Sequence, residues 1–231
     1  EREVIIVEQR ETGAGASGRN GGFCSYSLTH GFMNGYSRFK DEMAVIERLG
    51  RENLDLIEET IKRYGIDCQF EWTGELRIAN EEWQIEGLVE EANLRNSFGD
   101  NVEVLNQDEI QQRVNSPLSK AALWDPDGTA LVDPARLVWG LERACLKLGV
   151  KIFENTHVEW LERTSEGMIV HTPYGTVYAQ KVALATNVFK SLVKRAHKYV
   201  VPVYDFQLVT EPLTKDQMKS IGWKGREGLS E

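Results

Sequence analysis

A glycine-rich loop that directly follows an apolar run is the part of this chain best suited to chemistry. Residues 13–22 read Gly-Ala-Gly-Ala-Ser-Gly-Arg-Asn-Gly-Gly and come after the apolar run 4–7 and the acid Glu8. Five glycines in ten positions leave little side-chain bulk, so the backbone can approach a flat or charged ligand and offer it N–H groups. We therefore interpret residues 13–22 as a cofactor loop. The alternative is an ordinary flexible surface loop.

The acid Glu8 gives the loop its second chemical group. Its position after residues 4–7 predicts a carboxylate at the carboxyl end of a buried parallel strand, where open α/β sheets bind nucleotides. Hydrogen bonds to a charged acceptor contribute roughly 1.5 to 3 kcal/mol each, enough to anchor a ribose. Glu8 is therefore the candidate for an adenosine ribose. The alternative is a solvated acid at the end of a strand.

A dinucleotide fingerprint would require a further element before Glu8. That pattern places a glycine-rich turn between a strand and a helix about 20 residues before the acid. Only seven residues precede Glu8 here. We therefore expect this chain to lack the first strand, phosphate loop and helix, and to be part of a longer protein.

Composition and charge restrict the partners. With 231 residues, of which 41% are hydrophobic, the chain can form one large or two modest domains with a true core. Its net charge of -9 argues against a nucleic-acid or anionic-membrane surface, because such partners need clustered Lys and Arg. Small molecules are the expected partners, and no run approaches the roughly 20 apolar residues that span a bilayer.

The cysteines and histidines indicate no metal site. The three cysteines and four histidines are scattered, without a CxxC, an HExxH or any other metal-ligand spacing. The cysteines are interpreted as reduced thiols, so the protein is expected to be cytoplasmic.

Hydrophobic periodicity predicts the secondary structure that positions the loop. Asn106 with Glu109, and Asp133 with Pro134, are typical of helix starts. Helices are predicted at 40–65, 81–94, 108–114 and 133–148. Strands are predicted at 74–79, 150–153, 156–161, 168–172, 176–180, 182–185 and 200–210. No helix or strand is predicted after residue 210, and Trp83, Leu88 and Leu94 are predicted to be core anchors rather than a recognition stripe.

The order of these elements predicts the fold class. A strand, a helix and a strand, with a β-meander inserted before the apolar run 182–185, indicate a parallel sheet of Rossmann-like α/β type. The alternating run 200–210 predicts a second, antiparallel sheet. The whole is expected to be α+β, incomplete, and made of two domains that interleave along the chain.

Several motifs together carry a family resemblance. They are Val7-Glu8 with residues 15–22, and the segments 74–78, 132–134, 149–150 and 185–187. On these motifs the chain resembles the FAD-dependent oxidoreductases of the D-amino-acid oxidase superfamily, in the branch of γ-glutamylputrescine oxidoreductase-like and glycine-oxidase-like enzymes. The resemblance implies an FAD-binding domain at 1–40 and 130–190 and a substrate domain at 41–129 and 191–231.

The resemblance also implies roles for single residues. Glu8 would bind the adenosine ribose, and the loop would run along the pyrophosphate toward the flavin ring, with polar contacts from Ser17 and Arg19. Val158 would meet adenine. The implied FAD-binding residues are Glu8, Ala14, Gly15, Ala16, Ser17, Gly18, Arg19, Asn20, Gly21, Gly22, Val158, Ala185 and Thr186. The alternatives are a surface charge at Arg19, a strand end at Thr186 and a core valine at Val158.

The implied chemistry is removal of a hydride from the carbon next to an amine nitrogen, with flavin as the acceptor. The imine product then hydrolyses in water. The flavin performs the redox step, so no acid–base pair or nucleophile is required, and the catalytic residues are not identified. Tyr204 and Gln207 are candidates for the substrate side, with purely structural strand residues as the alternative.

Two other functions stay open at this point. One is a non-catalytic interaction domain that keeps the nucleotide fold without its cofactor. The other is an FAD dehydrogenase of a hydroxy acid or of glycerol phosphate. The absent fingerprint further predicts that these 231 residues alone bind FAD poorly and turn over no substrate.

Overall fold

Two compact units make up the fold. A computed structural model describes residues 3–189, 191–203 and 206–231. Unit 1 comprises residues 1–19 and 138–208, and unit 2 comprises residues 20–137 and 209–231. The assignment of cofactor and substrate domains to residue ranges stays a prediction.

Helices and short strands alternate along the described residues. The α-helices are α1 Phe32–Arg38, α2 Met43–Tyr64, α3 Glu82–Ser97, α4 Gln107–Arg113, α5 Pro134–Lys147 and α6 Lys215–Ile221. The strands are β1 Ile5–Val7, β2 Phe23–Ser25, β3 Glu71–Trp72, β4 Glu75–Ala79, β5 Glu103–Asn106, β6 Ala121–Asp125, β7 Thr129–Leu131, β8 Lys151–Phe153, β9 Trp160–Arg163, β10 Met168–Thr172, β11 Gly175–Ala179 and β12 Gly228–Ser230. None of these helices is long and apolar enough to cross a membrane.

Unit 1 contains a parallel strand pair and a meander. Strands β1 and β8 are parallel, with Val7 opposite Phe153. Strands β9, β10 and β11 form an antiparallel meander. Burial of a parallel pair on both faces requires helices on both sides, and α5 is the only α-helix in the described part of this unit. Accordingly Ile6 and Phe153 stay about half exposed, at 41% and 47%.

Unit 2 contains two further sheets. One is four-stranded in the order β12-β4-β6-β5, in which β12 is parallel to β4 and the other pairs are antiparallel. The other is antiparallel in the order β2-β7-β3. With the parallel pair of unit 1, these sheets confirm the predicted mixed α/β fold.

The four-stranded sheet is covered by helices on both faces. Successive side chains of a strand point to opposite faces, so Ala79 packs with residues of α3 whereas Leu76 packs with residues of α4. A third cluster, around Ile61 and Cys68, lies at the end of α2. All three clusters belong to unit 2.

Local sequence signals set the helix ends. Helix α2 stops at Gly65, whose φ of +61° is a left-handed conformation that favours glycine. Helix α4 begins with a capping box, in which Asn106 accepts from the Glu109 N–H and Glu109 accepts from the Asn106 N–H. The Asp133 carboxylate accepts from the Arg136 N–H at the start of α5. These predicted helix starts and stops are confirmed.

The predicted strand at 182–185 is wrong. Residues 181–186 have no regular secondary structure, and Leu184 is 38% exposed. A strand needs a neighbour with which its backbone can form a ladder. In the described residues β8 is the only ladder partner of β1, and no ladder reaches residues 182–185.

The predicted strand at 200–210 is also wrong for its described residues, 200–203 and 206–210. Alternation gives a stable strand only when one face is buried. Here Val201, Val203, Phe206 and Leu208 are all more than 80% exposed. Neither face of the segment is therefore covered, and the hydrophobic pattern alone does not produce a sheet.

Three smaller predictions require correction. Helix α6 and strand β12 follow residue 210, where no element was predicted. Helix α6 begins with a capping box of Thr214 and Gln217, a local signal that was missed, whereas β12 forms a ladder with β4 that local sequence does not reveal. Trp83 is 78% exposed and is not a core anchor. Strand β9 begins at Trp160, so Val158 lies before the strand and not on it.

Candidate cofactor site

Glu8 lies at the carboxyl end of β1, as predicted. Its N–H donates to the Phe153 carbonyl at 2.9 Å, which continues the β1–β8 ladder by one bond. Its carbonyl accepts from the Thr156 N–H at 2.8 Å. Glu8 is half buried, and its carboxylate Oε1 accepts from the Arg10 N–H at 2.9 Å. Backbone hydrogen bonds thus fix Glu8, and its carboxylate keeps further acceptor capacity for a ribose.

The glycine loop folds back on itself after Glu8. The Ala14 N–H donates to the Glu11 carbonyl, and residues Ala16–Gly18 form a 3-10 turn. A Cβ atom at Gly18 would lie 2.2 Å from the Gly13 carbonyl oxygen, which no side chain tolerates. Glycine at position 18 is therefore required by the fold of the loop.

Gly15 differs from Gly18, because no contact within the described part of the protein requires a glycine at its position. A Cβ atom at this position would meet no atom within 4 Å, and its φ of -91° is open to any residue. Neither packing nor backbone conformation explains a glycine at this position. Close approach of a ligand to the backbone would explain it, and the exposed Gly15, Ala16 and Ser17 leave that side of the loop accessible.

Three side chains of unit 1 hold the start of the loop, and none of the three was predicted from the sequence. The Glu154 carboxylate accepts from the Thr12 N–H. The Glu142 carboxylate accepts from the Thr12 hydroxyl at 3.3 Å, and the Trp139 indole N–H donates to the Thr12 carbonyl at 3.2 Å. For Glu154 a signal was available, because this acid follows the run 150–153 as Glu8 follows the run 4–7.

The last three predicted loop residues belong to unit 2. The Asn20 amide oxygen accepts from the Gly22 N–H at 2.9 Å. Gly22 is buried, and its carbonyl accepts from the Val132 N–H at 2.9 Å, next to the β2–β7 ladder. Asn20 and Gly21 are exposed. Their predicted position at the flavin edge stays a prediction.

The remaining predicted residues are placed less specifically. Val158 is half buried, two residues after Thr156, so it lies near the end of β1. Ala185 and Thr186 lie in an exposed irregular stretch, and Gln207 is exposed. Tyr204 lies outside the described residues.

A buried charged network in unit 2 was not predicted. Arg95, only 6% exposed, donates to Asp100 at 2.7 Å and also to Asp125, and it contacts the Tyr26 hydroxyl at 2.7 Å. Asp100 also pairs with Arg51. Burial lowers the pKa of Arg95, but Asp125, Tyr26 and Asp100 outweigh this effect and raise it. No single motif could reveal the network, because its members come from distant parts of the sequence.

A sixth member of this network is a buried carboxyl group, one of whose oxygens has no hydrogen-bond partner among the described residues. It belongs to Glu47, which is 9% exposed, and the oxygen is Oε2. Burial raises the pKa of Glu47, and Asp100 raises it further. The network therefore combines two guanidinium groups with three carboxyl groups.

Comparison with known proteins gives a family match over nearly the whole chain. The family model described as "DAO: FAD dependent oxidoreductase" matches residues 1–229. The "Probable oxidoreductase OrdL" of Haemophilus influenzae is 29% identical over 232 residues, covering 95% of this chain and 52% of that protein. The "Gamma-glutamylputrescine oxidoreductase" of Escherichia coli is 30% identical over 238 residues, with the same two coverages. The chain thus spans about half the length of these curated relatives.

Solved structures agree on the fold. Glycine oxidase from Geobacillus kaustophilus matches with a TM-score of 0.66 and 22% identity, over 81% of this chain and 49% of that chain. At this level of identity the likeness shows the fold alone.

Proposed function

The chain belongs to the DAO family of FAD dependent oxidoreductases, and from this premise we propose that it forms part of an enzyme that oxidises the C–N bond of an amine or amino acid. The single observation that carries the proposal is the geometry of the β1 end. A half-buried carboxylate is followed there by a loop whose Gly15 has no structural reason to be glycine.

The residues of this site fit an adenine dinucleotide. Glu8 offers carboxylate oxygens to ribose hydroxyls, and the backbone of residues 14–18 offers an exposed approach for a pyrophosphate. We assign the rest of the cofactor contacts to Arg19, Asn20, Gly21, Gly22, Val158, Ala185 and Thr186. The amine-directed part draws support from the relative named gamma-glutamylputrescine oxidoreductase.

The chain's own residues would bind and orient in this reaction. When bound, FAD would supply the acceptor for a hydride from the carbon next to the nitrogen, and the imine left behind would be hydrolysed by water. Glu8 and the loop would hold the cofactor in place. Gln207 and Tyr204 stay our candidates for the substrate side, and the cytoplasm stays the expected compartment.

A visible absorption spectrum of the full-length protein that contains this chain tests the proposal. The spectrum is recorded without oxygen, before and after addition of amines, amino acids, hydroxy acids or glycerol phosphate. The expected result is a flavin spectrum whose long-wavelength band bleaches with an amine or amino acid only.

Two other results would contradict the proposal. Bleaching by a hydroxy acid or by glycerol phosphate alone would indicate a dehydrogenase of different chemistry. A colourless protein that cannot be reconstituted with FAD would indicate an interaction domain without cofactor.

A further inference from the structure

Two glutamates occupy equivalent positions at the same edge of the parallel strand pair. Glu8 follows Val7, the last residue of β1, and Glu154 follows Phe153, the last residue of β8. Val7 and Phe153 are paired in the ladder, so the two acids are neighbours. From sequence position alone, either acid could be the one that binds a ribose.

Their hydrogen bonds distinguish the two acids. Glu8 is half buried, and its carboxylate accepts from the N–H of Arg10, two residues along its own chain segment. Glu154 is exposed, and its carboxylate reaches across to the N–H of Thr12, which is 142 residues away in sequence. Glu154 is therefore already engaged with the protein at the point where the glycine loop begins.

Thr12 is the residue through which the loop is held. Each of its three hydrogen-bonding groups has a partner in unit 1: Glu154 for the N–H, Glu142 for the hydroxyl and Trp139 for the carbonyl. The next residue, Gly13, has a φ of +82°, and a Cβ atom there would come within 3.4 Å of Val138. The start of the loop is thus held against α5 and the end of β8.

We propose that Glu154 is a positioning residue, which fastens the glycine loop through Thr12 so that the backbone of residues 14–18 is preorganised for the pyrophosphate of the cofactor. This inference rests on the proposed function, because it presupposes that the loop binds a dinucleotide. It assigns the two strand-end acids different tasks: Glu8 faces the ligand, and Glu154 supports the loop.

The charge of Glu154 distinguishes a positioning role from a purely electrostatic role. If Glu154 acted only as a charge near the site, its removal would favour an anionic pyrophosphate and tighten FAD binding. If Glu154 positions the loop, its removal loosens the binding surface and weakens FAD binding. The two roles predict changes of opposite sign. Hydrogen bonds from Thr12 lower the pKa of Glu154, so its carboxylate is charged at neutral pH.

The experiment measures the dissociation constant for FAD on the full-length apoprotein by quenching of flavin fluorescence. Glu154→Ala should raise this constant about tenfold, as expected for a lost hydrogen bond to a charged group. Glu154→Gln keeps an acceptor oxygen and should restore most of the affinity. Trp139→Phe removes the indole donor and should raise the constant about threefold.

Glu11→Ala is the matched control. Glu11 is an exposed acid one residue before Thr12, so its substitution removes the same charge without removing a contact to Thr12. FAD binding should stay unchanged or become tighter. An unchanged or lower dissociation constant in Glu154→Ala, as in this control, would overturn the proposal.

A second readout does not depend on the cofactor. Amide hydrogen exchange of residues 12–18 in the apoprotein should become about tenfold faster in Glu154→Ala and stay unchanged in Glu11→Ala. Equal exchange in the two variants would refute the positioning role even if the protein bound no FAD. Failure of the wild-type protein to bind FAD, with fast exchange in Glu154→Ala alone, would instead contradict the proposed function and leave the loop support established.

Discussion

The two units stabilise themselves in different ways. Of the buried apolar residues in the described part of the chain, only Ala144 and Val170 belong to unit 1. All three core clusters and every buried charged residue of that part belong to unit 2. Unit 1 is instead held by backbone ladders and by the hydrogen bonds around Thr12. Its glycine loop is largely exposed.

This difference indicates where each unit tolerates change. Burial of apolar surface contributes most of the stability of a domain, so substitutions in unit 2 should affect unfolding more. Exposed backbone held by a few polar contacts contributes little to stability but gives a ligand access. Substitutions in the loop of unit 1 should therefore affect binding more than unfolding.

The largest expected effect comes from the charged network of unit 2. Arg95→Met leaves the Asp125 carboxylate without its guanidinium partner and the buried Asp100 carboxylate with Arg51 alone, which should lower the free energy of unfolding by about 3 to 5 kcal/mol. Urea denaturation measures this loss. The control Arg143→Met, at an exposed position of unit 1, should change it by no more than about 0.5 kcal/mol. Similar losses in both variants would contradict the comparison.

The next effect comes from the apolar core. Leu76 of β4 is fully buried and packs against residues of α4, so Leu76→Ala should cost about 2 to 5 kcal/mol of unfolding free energy. Leu148→Ala, in unit 1, removes a side chain that is 66% exposed and should cost about 0.5 kcal/mol or less. Thermal and urea denaturation of both variants check the ranking, which equal costs would refute.

A matched pair of glycines sharpens the comparison within unit 1. Gly18→Ala forces a Cβ atom against the Gly13 carbonyl, so it should lower the unfolding free energy by about 1 to 3 kcal/mol and also weaken FAD binding. Gly15→Ala meets no protein atom and should leave the melting temperature unchanged while weakening FAD binding. Calorimetry and FAD titration separate the two effects. Unchanged FAD affinity in Gly15→Ala would remove the main support for a ligand at this loop.

The smallest effect concerns pH. Because burial raises the pKa of Glu47, the folded chain binds this proton more tightly than the unfolded chain does. The resulting stabilisation is fully present below the ordinary value of 4.5 and is lost as the pH rises through the raised value.

Glu47→Gln should remove this pH-dependent loss of stability. The unfolding free energy of the variant should therefore fall less than that of the wild type as the pH rises above 4.5. Urea denaturation at a series of pH values up to neutral measures the slope. Glu103→Gln, at an exposed position of the same unit, is the control and should keep the wild-type slope. A Glu47→Gln slope equal to that of the wild type would contradict the role of burial.

Local signals were sufficient for helices α2 to α5 and for the position of Glu8, whereas α1 and α6 were not predicted. Capping pairs such as Asn106 with Glu109 act within one turn, so their geometry follows from sequence spacing. Apolar periodicity identified α2 for the same reason. The run 182–185 shows the limit, because an apolar segment becomes a strand only where a neighbouring strand supplies hydrogen bonds.

The candidate site shows the same difference between features set by local sequence and features set by distant contacts. The glycine loop and Glu8 were predictable because they are contiguous in sequence. The role of Glu154 was not, because its partner Thr12 is 142 residues away and the contact exists only once β8 lies beside β1. Sequence therefore indicated the residues that we propose to face the ligand, but not the contacts that hold the start of their loop.

By itself the sequence determined helices α2 to α5, the caps of α4 and α5, the glycine that ends α2 and the acid that ends β1, because each depends on interactions within a few residues. Tertiary structure alone decided the pairing of β12 with β4, the buried contacts of Arg95 and the contacts of Thr12. These depend on which distant segments become neighbours. A hydrogen bond or ion pair across such a distance forms only after the chain has paid the entropy of bringing its segments together, and no local pattern records that outcome.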